Sequence, residues 1–327
     1  MRSTKPSPFE KMLVWDNHVC LPHDPHEKWM HELLRHKNAG VNMLLLSVAG
    51  SDIETLETLF RMTAFYRDWI TNHPDDFCLV LTAQDVRNAK INNKLGIAFD
   101  VEAPKAMGEQ LSLLGMYHDL GIRWMVMAYN ANNQIAGGCH GEDPGLSSFG
   151  YRLIEEMDRV GIVKCCTHTG YRSAMDVLKH SNKPVIFSHS NPRALWDHPR
   201  NIPNELIDAC AETGGVVCIN GVGIFLGDND ISCETMSRHI DYVVQRIGIN
   251  HVGIGTDYTY DTADLDGELE SARHIWPKNL GYEPGIKFFP PEDLPKLGNE
   301  LLRLGYSEQD MGKIFGENLL RVAEQVW

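Results

Sequence analysis

The chain has 327 residues, 43% hydrophobic and 23% charged, and its 44 Asp and Glu against 30 Lys and Arg give a formal net charge of −14. An acidic surface repels phosphate backbones and anionic lipid headgroups, which sets nucleic acid and membrane surfaces aside as partners. No apolar run approaches the ~18–20 residues that span a bilayer, and Met1–Glu10 carries Arg2 and Lys5 with no apolar stretch behind them, so the expectation is a cytoplasmic protein.

Length alone allows two domains at roughly 100–200 residues each, but single α/β barrels reach this size. The eight cysteines are few for so long a chain, and most lie in apolar runs (Cys78, Cys165, Cys166, Cys218). That is where a small hydrophobic thiol packs in a reducing compartment. Cys165 and Cys166 are adjacent, so on a strand they face opposite sides.

Nine apolar runs of strand length follow one another: Met12–Cys20, Val41–Val48, Phe77–Thr82, Leu95–Glu102, Ile122–Tyr129, Gly161–His168, Pro184–His189, Gly215–Asn220 and His251–Asp257. Most lack polar alternation, as strands buried on both faces do. Between them, helical spacing predicts helices over Glu27–Asn38, Ile53–Asn72, Ala106–Asp119, Ser148–Val160, Tyr171–His180, Asn204–Thr213 and Thr235–Ile247. Tyr260–Pro295 turns polar and rich in Pro and Gly, a long excursion, and Ser307–Val326 closes the chain as a helix with Ser307 as N-cap. About eight βα units, with no G-x-G-x-x-G or P-loop sequence, predict an α/β fold of the (β/α)8 TIM-barrel type with a C-terminal helical extension, in one domain over residues 1–327.

The run ends carry the chemistry. In order they are His18-Val19-Cys20, Asp100-Val101-Glu102, Tyr129-Asn130, Thr167-His168, Ser188-His189-Ser190 and Thr256-Asp257. In a βα barrel these ends converge on the face where active sites are built. Taken singly, each His is a hydrogen-bonded surface group and each Asp a helix cap. Together, three His and two carboxylates make a poor packing solution unless a cation compensates them, which points to a metal site.

At these residues the chain resembles the membrane dipeptidase (renal dipeptidase) family of zinc peptidases, within the amidohydrolase superfamily. Asp16-Asn17-His18-Val19-Cys20-Leu21-Pro22 is similar to that family's opening D-G-H-x-D-x-P signature. Gly145–Gly150, Ser188-His189-Ser190, Pro199-Arg200-Asn201, Gly253–Asp257 and Gly316–Val322 extend the likeness, in order, over most of the chain. The resemblance implies a metallohydrolase with two zinc ions: His18 on the first, Glu102 bridging, His168 and His189 on the second. It implies Asp257 as the proton shuttle, Arg200 as the anchor of a substrate carboxylate and a homodimer as the assembly.

Two departures touch the reacting centre. Cys20 stands where the family has Asp. As a thiolate it would be a softer zinc ligand at ~2.3 Å; as a buried thiol it would leave the first site weakly held and the centre effectively mononuclear. Tyr129 stands where the family has a substrate-contacting His, and a phenol donates a hydrogen bond to an oxyanion without carrying positive charge. Its bland alternative is a rim aromatic. Tyr258-Thr259-Tyr260 also replaces the usual Phe-Asp-Gly after Asp257. The expected activity is hydrolysis of an amide in a small carboxylate-bearing substrate, such as a dipeptide. The alternatives are a specialised hydrolase of a non-peptide amide, lactam or lactone, and a non-catalytic metabolite-binding barrel.

Overall fold

A computed structural model describes residues 8–22, 24–50, 55–102 and 104–327. Arg2, Lys5 and the predicted helix start at Ile53 lie outside them. Each apolar run contains a strand: β1 Trp15–Cys20, β2 Met43–Ser47, β3 Phe77–Leu79, β4 Leu95–Val101, β5 Ile122–Val126, β6 Val163–Cys165, β7 Val185–Phe187, β8 Val216–Ile219 and β9 Val252–Ile254. A two-residue strand that sequence patterning does not predict, β10 (Tyr258–Thr259), follows β9.

All strand pairings are parallel, in the order β10-β1-β2-β4-β5-β6-β7-β8-β9. Because β9 and β10 belong to one stretch of chain, the pairing of β9 with β8 and of β10 with β1 brings the two ends of the sheet together as a barrel. The third run is the exception to the expected order. Its strand β3 pairs only with the start of β4 and lies off the barrel path.

Alternation along the strands separates two apolar layers. Met43, Leu45, Ala98, Trp124, Val126, Val163 and Cys165 fill the interior, while Leu44, Leu46, Ile97, Phe99, Met125 and Cys166 face the surrounding helices. Cys165 and Cys166 thus point to opposite sides, as their adjacency requires. The helix Ser148–Val160 packs Phe149, Leu153, Ile154 and Met157 on that outer layer. It starts where the Ser147 hydroxyl accepts the Gly150 N–H and stops at Gly161, whose φ of 93° suits glycine.

Helices depart from the expected bounds in instructive ways. The stretch Glu27–Asn38 breaks at Leu33 into two short helices, and Ala106–Asp119 becomes a 3-10 turn at Pro104–Met107 followed by a helix over Leu113–Leu120. Helices at Ala83–Ile91 and Leu294–Arg303 add to the predicted set. The closing helix forms with a capping box between Ser307 and Asp310 and one π-helical turn at Lys313–Glu317. Its Leu319, Val322, Ala323 and Val326 join the barrel's interior cluster.

Two local devices aim the rim residues. In β1 a register shift between Asp16 and Val19 lets Trp15 and His18, three residues apart, both face the interior. At the seam, Asp16 accepts the Thr256 N–H (2.8 Å) and the Thr256 hydroxyl (2.5 Å), tying β1 to the turn before Asp257. His36 Nε2 lies 3.3 Å from the same carboxylate. All three residues are fully buried. Asp16→Ala is therefore expected to lower stability by about 2–4 kcal/mol in urea unfolding, because it strands two buried donors of Thr256.

Candidate metal centre

Strand alternation puts Ala98, Asp100 and Glu102 on one side of β4, so its end delivers two carboxylates to the interior face. His18 and Cys20 arrive together from β1 by the same periodicity. His168 follows β6, His189 follows β7 and Asp257 lies between β9 and β10. Three residues of this rim, Asn130 (φ 55°), His168 (φ 65°) and Asp257 (φ 56°), occupy the left-handed region that costs a non-glycine residue about 1–2 kcal/mol. Backbone strain held at three strand ends of one rim points to a functional site.

Glu102 is the hub. Its Oε2 lies 3.4 Å from His18 Nε2, and its Oε1 lies 3.3 Å from both His168 Nε2 and His189 Nε2. The far nitrogens of the imidazoles are engaged. His18 Nδ1 faces Asp100 at 3.2 Å, His168 Nδ1 faces Asn130 Oδ1 at 2.8 Å, and His189 Nδ1 faces Ser188 Oγ at 2.9 Å. Ser188 itself donates to Thr167. These partners assign the Nδ1–H tautomer to His168 and His189 and leave their Nε2 lone pairs 3.1 Å apart. Hydrogen-bonded far nitrogens of this kind are what orients metal-ligating histidines.

The donor set fits a cation. Two imidazole lone pairs and a carboxylate oxygen converge, the His168 lone pair meeting the Arg200 guanidinium, and Glu102 Oε1 is a buried atom without a hydrogen-bond donor. Two overlapping groups have ligand atoms within 4.8 Å of one another, His18, Cys20 and Glu102 on one side and Glu102, His168 and His189 on the other. A third group joins Asp257 to His18 and His189. Imidazole, carboxylate and thiolate together suit zinc or a similar divalent ion.

Electrostatics in the metal-free chain follow from this crowding. Burial alone would lower the His18 pKa, but Glu102, Cys20 and Asp100 hold it well above the ordinary value. Burial opposes ionisation of Glu102, yet His18 and its neighbours hold that carboxyl well below its usual range. His168 is pushed down to about 3 by burial and by Arg200. Burial lifts the Cys20 thiol to about 12 and Asp257 to about 6, with His18 opposing both shifts.

Cys20, Arg200 and Tyr129 line a cleft together with Glu102, His168 and Asp257, and His18 and His189 lie buried behind it. Cys20 Sγ lies 3.4 Å from His18 Nε2 and 3.8 Å from Asp257 Oδ1. Arg200, 2% exposed, donates from Nη2 to His168 Nε2 at 3.1 Å, and its guanidinium lies over the Phe225 ring. Tyr129 stacks on His168 with ring centroids 4.1 Å apart and meets the edge of Trp276.

Sequence reasoning passed over four supports. Asp100 and Asn130 orient imidazoles, Asn220 donates to Asp257 Oδ2 at 2.9 Å, and Tyr282, in the cleft wall, pairs with His140 Nε2 at 2.8 Å. Asp100 and Asn130 were readable as neighbours of named run-end residues. Tyr282 sits in the 260–295 excursion, where no periodic pattern marks it.

This parallel barrel, with donors at its strand ends, is the class of fold shared with amidohydrolases. A solved amidohydrolase from Pseudomonas aeruginosa superposes with a TM-score of 0.87 at 27% identity, covering 98% of this chain and 99% of that one. The family model of the membrane dipeptidases (peptidase family M19) matches residues 30–275. The dipeptidase verJ of Clonostachys rogersoniana is 28% identical over 282 residues, covering 85% of this chain and 68% of that protein. The dipeptidase aclJ of Aspergillus oryzae is 30% identical over 289 residues, covering 85% of this chain and 63% of that protein. The chain belongs to the membrane dipeptidase family, a group of dipeptidase-like metallohydrolases.

Metal uptake has a fixed sign of pH dependence. Glu102, Cys20 and Asp100 raise the His18 pKa against the effect of burial, so a proton must leave His18 for a cation to bind. Affinity for a divalent ion is thus expected to weaken as pH falls, with about one proton or more released per chain. Calorimetry in buffers of different ionisation enthalpy measures this. Glu102→Gln should lower the bound metal to a small fraction of the wild-type content by elemental analysis.

Proposed function

We propose that the protein hydrolyses an amide bond in a small substrate carrying a free carboxylate, a dipeptide being the simplest case. The observation that carries this reading is the convergence of three imidazoles on the buried Glu102 carboxylate, with Asp257 beside them, its Oδ1 3.6 Å from His18 Nε2 and its Oδ2 accepting from Asn220. His18, Cys20 and Glu102 would hold one divalent ion, and Glu102, His168 and His189 a second, zinc being the metal the donors favour. Bound metal supplies Lewis-acid polarisation of the scissile carbonyl and acidifies water enough to make it a nucleophile near neutral pH.

The chain's own groups do the rest. Asp257, held by Asn220 and lifted to about 6 by burial against the opposing pull of His18, is poised to take a proton from the attacking water and return it to the departing amine. Arg200 offers a fork matched to two carboxylate oxygens, and its present partner is a neutral imidazole. Tyr129, kept as a neutral phenol by burial and by the charge of Glu102, presents a hydrogen-bond donor to the cleft. Cys20 is taken as a ligand because its sulfur faces His18 and Asp257 and not the surrounding core. All eight cysteines are free thiols, which suits a reducing, cytoplasmic setting. Among the described residues no helix is long and apolar enough to cross a membrane.

Purified protein reconstituted with zinc is expected to hydrolyse simple dipeptides. Asp257→Asn should cut kcat by roughly 10²- to 10⁴-fold with bound metal retained, and Arg200→Ala should cut kcat/KM by roughly 30- to 1,000-fold. Failure to turn over any dipeptide, amino-acid amide or lactam with metal bound would contradict the proposal. Cobalt-substituted protein tests Cys20 separately. A sulfur-to-cobalt charge-transfer band in the near ultraviolet, lost in Cys20→Ser, is the expected result, and its absence from the wild type assigns Cys20 as a plain thiol.

A further inference from the structure

The excursion after Asp257 builds a second apolar body outside the two layers of the barrel. Val222 and Phe225 pack there with Leu269, Trp276, Tyr282 and Phe288, all 9% exposed or less. These residues do not merely pack on one another. They line the same cleft as Glu102, His168, Arg200 and Asp257, a space of about 980 Å³ that includes solvent at its mouth.

The apolar wall approaches the polar centre at three points. Trp276 meets the edge of Tyr129 at 6.4 Å between centroids, and Tyr129 is stacked on His168. Phe288 meets Tyr258, the residue after Asp257, at 6.5 Å. Phe225 lies under the Arg200 guanidinium at 5.2 Å. A substrate with its carbonyl at the Glu102 cluster and its carboxylate on Arg200 therefore has aromatic surface beside both of these anchor points. Asp261 and Asp264 stand in the same lining and bring negative charge to it.

We infer that this wall is a side-chain subsite that selects carboxylate-bearing amides with a bulky apolar side chain, aromatic or branched, and rejects those with a second carboxylate. The inference rests on the amide-hydrolase reading for its orientation but makes its own demand on binding. An apolar pocket discriminates by the surface it removes from water, roughly 10- to 200-fold for changes of a methylene or more. A second carboxylate meets Asp261 and Asp264 with like charge.

Two readouts separate the subsite from the reaction. Binding of acetate, 3-phenylpropionate and succinate to the zinc-loaded protein is measured by calorimetry, and kcat/KM is measured for dipeptides varied at each position in turn through Gly, Leu, Phe and Glu. The expected results are at least tenfold tighter binding of 3-phenylpropionate than of acetate, no comparable gain for succinate, and a Phe or Leu preference of tenfold or more over Gly and Glu in at least one position. Trp276→Ala and Phe288→Ala should each shrink these ratios several-fold and Trp276→Phe should retain them, with thermal melts checking that each variant is folded. Equal binding of the three acids, or ratios that survive both truncations, overturns the subsite. Discrimination among the acids with no dipeptide turnover keeps the subsite and overturns the hydrolase reading. Dipeptide turnover indifferent to side chain does the opposite.

Discussion

The structure depends on one electrostatic constraint: the carboxylate of Glu102 is buried at the end of β4 and faced by three imidazoles from three other strands. A buried charge without compensation costs several kcal/mol. Part of the compensation comes from the raised basicity of His18 and from the Arg200 guanidinium resting against His168. A divalent cation answers the same demand with more charge and with the lone pairs correctly aimed. The Asp100, Asn130 and Ser188 contacts, which fix the imidazole rings, would then serve a bound metal as much as its ligands would.

The barrel is the means of meeting that constraint. Parallel strands put their carboxyl ends on one rim, and period-two alternation sorts each strand's residues into the barrel interior and the helix-facing layer. Where alternation alone points a residue the wrong way, the backbone is bent to suit: a register shift turns His18 inward, and left-handed φ values turn Asn130, His168 and Asp257. Such conformations persist because neighbours over-determine them. Asp257 is held through its own N–H by the His18 carbonyl, through its carboxylate by Asn220, and through Thr256 by Asp16.

Much of this was legible in the sequence because two simple signals carry it. Apolar runs of strand length report buried parallel strands, and all nine contain one. The polar residues that end them report the rim, so His18, Cys20, Glu102, His168, His189 and Asp257 were nameable before any coordinates. The displaced β3 was not, since its run, Phe77–Thr82, reads like the others and only pairing excludes it from the barrel path. Nor was the roof over the cleft. The helix Thr262–Ser271 buries only Leu269, so its sequence has no apolar stripe to announce it. Trp276, Tyr282 and Phe288 reach the site through irregular chain that obeys no period. The supports of the site were only partly legible. Asp100 and Asn130 stand beside named residues, but what they and Asn220 do is set by hydrogen bonds to partners on other strands.

The Glu102 cluster is expected to hold divalent metal between its two sets of donors. Diffraction from crystals of zinc-loaded protein, recorded on both sides of the zinc absorption edge, tests it directly. Anomalous peaks are expected to flank Glu102, one toward His18 and Cys20 and one toward His168 and His189, with Arg200 drawn off His168 Nε2. Density without an anomalous signal at either position, with Arg200 still donating to His168, would contradict it.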